Sequence, residues 1–201
     1  TLKPSEYRSK VETGFELREL EDRSLITGAD LPSRETYNIT FRVEAGSFAG
    51  LRLEALPRSA LADAPSGLAD DGTFALSEIE AELVTPAPEA PEAKPQSQRL
   101  QLTTALAEAD TKDGDIGRAI DGKEDTAWRI DTDAAKRTVA ALFLLDRPVE
   151  VPNGASLRAK LVFAAAPDRR ALGRFRVAAA QGENLARLLN PPRFEPWKVI
   201  G

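Results

Sequence analysis

Strand periodicity dominates this chain. Tyr37, Ile39, Phe41 and Val43 alternate with Asn38, Thr40, Arg42 and Glu44, a two-residue period that puts every apolar side chain on one face. Leu51 and Leu53 alternate with Arg52 and Glu54. Leu157, Ala159, Leu161 and Phe163 alternate with Arg158 and Lys160, and Phe175 and Val177 alternate with Arg174 and Arg176. Val139 to Leu145 is apolar throughout and ends at Asp146-Arg147-Pro148, which predicts a central strand buried on both faces. Phe15-Glu16-Leu17 and Ser24-Leu25-Ile26-Thr27 are weaker strand candidates, closed by Gly28 and Pro32.

Helical signals are sparse. Ser59 to Ala64 predicts a single turn. Glu183 to Leu189, with Leu185, Leu188 and Leu189 on one side, predicts a short helix stopped by Asn190-Pro191-Pro192. Many short strands between Gly, Pro and Asp turns point to an all-β sandwich. Thr85 to Gln98 carries Pro86, Pro88, Pro91 and Pro95 and predicts an exposed, extended connector without regular structure. It could divide two small sandwiches. Each flanking half has too few strands to close a core, so the expectation is one domain over 1–190, with 85–98 an internal loop and 191–201 a linker.

Composition narrows the chemistry. The 201 residues carry a net charge of -5 and show no basic stripe, which disfavours nucleic acid as a partner. No apolar run reaches the roughly 20 residues of a membrane span. Met is absent and the chain opens on Thr1, so it reads as a segment of something longer. Cys and His are absent too. Without them there is no thiolate zinc site, no haem attachment in this segment and no imidazole base. Oxygen ligands remain, and they suit calcium or magnesium.

One stretch is more specific than any strand: Arg118-Ala-Ile-Asp-Gly-Lys-Glu-Asp-Thr-Ala-Trp128. Asp-Gly alone is an ordinary turn. Here it is followed by Thr126 and Trp128 at fixed offsets. Gly122 permits a sharp turn, Asp121 supplies charge, Thr126 offers a carbonyl and a hydroxyl, and Trp128 can anchor the loop in the core. Far upstream, Phe74 and Leu76 are apolar in one phase and Ile79, Ala81 and Leu83 in the other. Such a switch at Ser77 fits a bulge that could aim a carbonyl and a carboxylate at one ion. Glu78, Glu80 and Glu82 also fit a solvated strand face.

The loop resembles the calcium loop of discoidin (F5/8 type C-like) domains, the galactose-binding-like family. The resemblance implies a jelly-roll β-sandwich with Ca2+ held by the Arg118 carbonyl, the Asp121 carboxylate, the Lys123 carbonyl and Thr126. That family closes its site with an apolar–small–Glu–Ile strand. The match here, Leu76-Ser77-Glu78-Ile79, precedes the loop, which implies a permuted strand order with Ser77 (carbonyl) and Glu78 (carboxylate) as the remaining ligands. Asp22-Arg-Ser-Leu-Ile-Thr-Gly, Leu51-Arg-Leu-Glu-Ala-Leu-Pro, Gly72-Thr-Phe-Ala-Leu-Ser-Glu and Leu172-Gly-Arg-Phe-Arg-Val are similar to a carbohydrate-binding-module-like region of planctomycete multidomain c-type cytochrome proteins. Arg23 stands where that region often has Gly, and Asp71 where it usually has Asn.

Three functions are compatible with these readings. The first is a non-catalytic carbohydrate-binding module, with polysaccharide or oligosaccharide as partner and an extracytoplasmic location. The second is a scaffold that docks adjacent domains of the full-length protein. The third is a glycoside hydrolase, for which no carboxylate pair is marked. For a sugar surface Phe48, Tyr7 and Trp197 are the least constrained aromatics, with Arg34 and Arg169-Arg170 in loops. None of these is fixed by a motif.

Overall fold

The computed structural model describes residues 3–9, 17–27, 34–59, 64–87, 94–165 and 170–180. Thirteen strands fall in chain order as β1 (Lys3–Ser9), β2 (Arg18–Glu19), β3 (Leu25–Ile26), β4 (Glu35–Arg42), β5 (Gly46–Ala55), β6 (Ala75–Leu76), β7 (Glu78–Thr85), β8 (Gln96–Leu100), β9 (Leu102–Ala107), β10 (Trp128–Arg129), β11 (Val139–Val151), β12 (Ser156–Phe163) and β13 (Arg174–Ala180). A 3₁₀ turn, Ile116–Ala119, and one helix, α1 (Thr132–Ala135), interrupt them.

Among the described residues all strand pairings are antiparallel. One sheet runs β1-β4-β12-β7-β8, a second runs β2-β3-β13-β5-β11-β9, and β6 pairs with β10 in a short two-stranded ladder. Alternation decides which faces meet. Tyr37, Ile39, Phe41, Leu157, Ala159, Leu161, Ile79, Ala81 and Leu83 from the first sheet share one core with Leu51, Leu53, Ala55, Ala141, Phe143, Phe175 and Val177 from the second. The protein is thus an all-β sandwich of two antiparallel sheets. Tyr37 stacks on Phe175 across that core at 5.5 Å and donates its hydroxyl to the Leu172 carbonyl at 2.9 Å.

Two expectations about the chain are corrected. The proline-rich stretch is not wholly unstructured, because Thr85 ends β7 and Gln96–Gln98 begin β8, paired from Thr85↔Gln96 to Ala81↔Leu100. Pro86 and Pro95 flank the paired Thr85 and Gln96, and each lacks the N–H that a ladder needs. Second, Asp146-Arg147-Pro148 does not end a strand. β11 runs through to Val151, with register shifts between Leu144 and Val149 on the β5 side and between Leu144 and Leu145 on the β9 side. The proline sits in that irregularity, where a missing donor costs no ladder bond.

The polar strand β8 and the mostly exposed strand β9 lack alternation and were not evident in the pattern. Both are sheet edges, where one flank faces water and polar side chains are tolerated. The chain passes from one sheet edge to the other at Gln101, exposed between buried Leu100 and Leu102. Phe15, Glu16 and the predicted helix 183–189 lie outside the described residues, as does most of the predicted 59–64 turn.

Candidate metal centre

Local pairing brings the two candidate segments together. Trp128 pairs with Leu76 and Arg129 with Ala75, so the loop that ends at Trp128 is delivered beside the start of β7. Trp128 is fully buried, lies edge-on to Phe74 at 5.0 Å, and donates its indole N–H to the Ala109 carbonyl at 3.0 Å. These contacts fix the exit of the loop.

The phase switch lies at Ser77. Residues 75–76 pair with β10, whereas from Glu78 onward the strand pairs with β12. The Ser77 amide donates to the Val162 carbonyl at 2.8 Å, and its hydroxyl accepts from the Ala164 and Ala165 amides, each at 2.9 Å. Phe74, Leu76 and Ile79 are therefore all buried although they differ in phase. Glu78 is left on the outer face of the sheet, 7% exposed, under the loop.

Glu78 and Asp121 converge on one N–H. The Lys123 amide donates to Glu78 Oε1 at 2.8 Å and to Asp121 Oδ1 at 2.9 Å. Those two oxygens are therefore no farther apart than the two distances laid end to end. Thr126 Oγ1 lies 3.0 and 2.9 Å from the two Asp121 oxygens and 3.2 Å from the Lys123 carbonyl. Gly122, at φ +79°, makes the turn that folds Lys123 back onto Asp121. This is a left-handed conformation that other residues adopt only at a cost.

Glu78 is a buried acid held by main-chain amides beside a second carboxylate. Burial raises the Glu78 carboxyl above its ordinary range; the Lys123 and Gly122 amides pull it back, and the neighbouring Asp121 carboxylate raises it again. Bringing two carboxylates together, one of them sunk in protein, favours either a shared proton or a bound cation.

Four of the six predicted residues, Glu78, Asp121, Lys123 and Thr126, thus meet in one cluster. Ser77 adjoins Glu78 in the chain; its hydroxyl accepts from the amides of 164 and 165, and the carbonyl expected to ligate takes no part in those bonds. Arg118 lies in the 3₁₀ turn at the head of the loop; its guanidinium pairs with Asp115 at 3.5 Å, a contact that does not involve the carbonyl expected to ligate. Among the described residues no three His, Cys, Asp or Glu side chains form a metal cluster. A cation here would rely on two carboxylates together with the Thr126 hydroxyl and backbone carbonyls. That all-oxygen set fits calcium, which accepts mixed carboxylate and carbonyl ligation.

The sugar-surface aromatics fare differently. Phe48 is 1% exposed in β5 and is a core residue, because the bulged β11 pairs Val149 against it. The Tyr7 side chain, Trp197 and Arg169 lie outside what is described. Arg34 is exposed, while Arg170 is tied to Asp71 at 3.1 Å and to the Thr73 hydroxyl.

The stretches around Asp22, Asp71 and Arg174 build a different feature. Asp22 Oδ1 accepts from the Ser24 amide and hydroxyl, and Asp71 Oδ1 accepts from the Thr73 amide and hydroxyl. Each Asp then holds an arginine, Arg174 at 2.8 Å and Arg170 at 3.1 Å. The spacing Asp-x-Ser/Thr followed by a distant Arg is legible in sequence, yet only the fold pairs the arginines. Compared with the models of known protein families and with curated proteins, the sequence matches none.

Proposed function

We propose that this chain is a non-catalytic, calcium-bearing binding module of carbohydrate-binding type, a galactose-binding-like jelly roll with permuted strand order that works extracytoplasmically within a larger cytochrome protein. One observation carries the reading: Glu78 and Asp121, 43 residues apart in sequence, share the Lys123 amide. The resemblance of the 118–128 loop to discoidin calcium loops points the same way, as does the oxygen-only ligand chemistry of a chain without His or Cys. Extracellular calcium modules work at about 0.1–1 mM ion, a concentration available outside the cytoplasm.

Docking of neighbouring domains is less favoured. Leu106 is the one exposed large hydrophobic among the described residues, so no apolar patch is offered there. The test is calorimetric titration of the chelator-treated chain with calcium, alongside magnesium. Saturable one-site calcium binding that Asp121→Ala abolishes supports the reading. An isotherm without heat or stoichiometry, matched by unchanged thermal stability, sinks it.

A further inference from the structure

The free edge of β9 is complementary to itself, and we propose that two copies of this chain associate by pairing β9 with β9, antiparallel, across a two-fold axis at Leu106. The two large sheets end in β1, β8, β2 and β9. Charges punctuate the first three: Lys3, Glu6 and Arg8 in β1, Arg99 in β8, Arg18 and Glu19 in β2. Such charges discourage one edge from pairing with another. β9, Leu-Thr-Thr-Ala-Leu-Ala, has neither charge nor proline. Its ladder with β11 decides what it offers. The Glu108 amide donates to the Ala140 carbonyl at 3.0 Å, so Glu108, Leu106 and Thr104 spend their backbone groups on β11. Ala105 and Ala107, between them, direct N–H and C=O outward. Among the described residues no strand or turn takes those groups up.

Parity sets the register. Only residues with outward groups can exchange hydrogen bonds, and Ala105 against Ala107 of the second copy engages both alanines of both copies. Ala105 against Ala105 would bring Ala107 onto Thr103, which is an extra residue in the ladder, because Thr104 faces Leu144 and Leu102 already faces Leu145. Ala107 against Ala107 would bring Ala105 onto Ala109, whose carbonyl accepts from the Trp128 indole. The remaining register sets Leu106 opposite Leu106 at a non-hydrogen-bonded position, where Cα atoms stand about 4.5 Å apart and side chains touch. Leu106 is 43% exposed, the one exposed large hydrophobic among the described residues. It faces away from the core, since its neighbours Ala105 and Ala107 are the ones packed against it. Self-pairing covers it. Thr104 then meets Glu108, so no like charges oppose. Two short edges bury less than the roughly 1,200 Å² of a standard interface, so the dimer is weak and forms with concentration. The contact is independent of the calcium reading.

The chain has no cysteine, so Leu106→Cys introduces a single thiol. Across the axis its Cα separation falls at the short end of the disulfide range of about 4.4–6.8 Å. Mild oxidation should cross-link it at least about tenfold faster than Arg147→Cys, a control at a side chain 89% exposed and away from β9. Sedimentation equilibrium of the wild type from about 10 μM to about 1 mM should show a monomer–dimer equilibrium. Leu106→Lys sets like charges against each other, and Ala107→Pro removes an outward N–H without touching the ladder to β11. Both variants should melt within about 2 °C of the wild type, as exposed substitutions do, and stay monomeric throughout. A wild type still monomeric at the highest concentration, a dimer that folded Leu106→Lys and Ala107→Pro both retain, or Leu106→Cys that cross-links no faster than the control overturns the proposal.

Discussion

Glu78→Gln separates a cation site from a self-satisfied turn. Glutamine keeps the shape and the oxygen that accepts from Lys123, and removes only the charge. Without calcium, the raised Glu78 carboxyl works against the fold at neutral pH. The native state holds its proton more tightly than the unfolded chain does, so that contribution is present below the ordinary glutamate range and lost as pH rises through the folded value. In chelator the variant should therefore melt at or above the wild type. With calcium the order reverses. A ligand bound only to the folded state stabilises by about 2.7 kcal/mol at about a hundredfold excess over Kd. A chain of 201 residues unfolds with an entropy of about 0.42 kcal/mol/K, from ~2.1 cal/mol/K per residue, so the wild type should gain about 6 °C. Glu78→Gln should gain less than about 1 °C. Differential scanning calorimetry at pH 7, with chelator and then with excess calcium, reads both. Equal calcium gains in the two proteins, or a chelated variant that melts well below the chelated wild type, would refute the argument.

Three further outcomes follow from the packing. Gly67→Ala places a methyl carbon 1.9 Å from the Thr73 carbonyl oxygen, and urea unfolding should show a loss of about 3 kcal/mol; a neutral result means the 66–73 loop is not held as described. Glu54, whose side chain is 9% exposed, accepts from Arg176 at 2.5 Å and also pairs with Arg52. Glu54→Ala leaves two guanidiniums facing each other and should cost about 2–3 kcal/mol, against less than about 1 kcal/mol for Glu82→Ala, whose partner Arg158 is half-exposed. In acid, Asp22, Asp71 and Glu54 matter with the opposite sign to Glu78: burial pushes each up, but the hydroxyl, amide and arginine bonds at the two aspartates and the arginine bonds at Glu54 win and hold each below its ordinary value. Their stabilisation is full above the ordinary carboxylate range and lost as pH falls through the folded values, so melting in calcium-free buffer should drop steeply below about pH 4. Asp71→Asn should flatten that drop.

The sandwich was readable wherever a strand has one dry face. β4, β5, β12 and β13 follow alternation to within about two residues at most ends, because burying every second side chain leaves a period that nothing else produces. The edge strands did not show. Gln96 to Arg99 is polar on both faces, and backbone pairing with β7 leaves no trace in side-chain chemistry. Pro148 misled for a related reason: proline signals a strand's end in the ladder, and a bulge absorbs it. In the candidate site, Asp121, Gly122, Thr126 and Trp128 stood out through spacing, and Glu78 through a break in phase beside Ser77. The role of Lys123 as a shared amide donor was invisible, since a main-chain N–H has no sequence signature.

Strand order sets a timetable for assembly. In the first sheet β12 sits between β4 and β7, and in the second β5 lies between β11 and β13. As a ribosome releases the chain, residues 35–85 emerge with their central neighbours still unmade. The first layer cannot close until residues 156–163 have left the tunnel, nor the second until residues 139–180 have. Such long-range closure is slow, in the millisecond-to-second range, and leaves sticky borders open meanwhile. Truncation ahead of residue 156 should thus give an aggregating fragment, not a smaller folded protein, and solubility of nested C-terminal deletions would report the moment at which the layers lock.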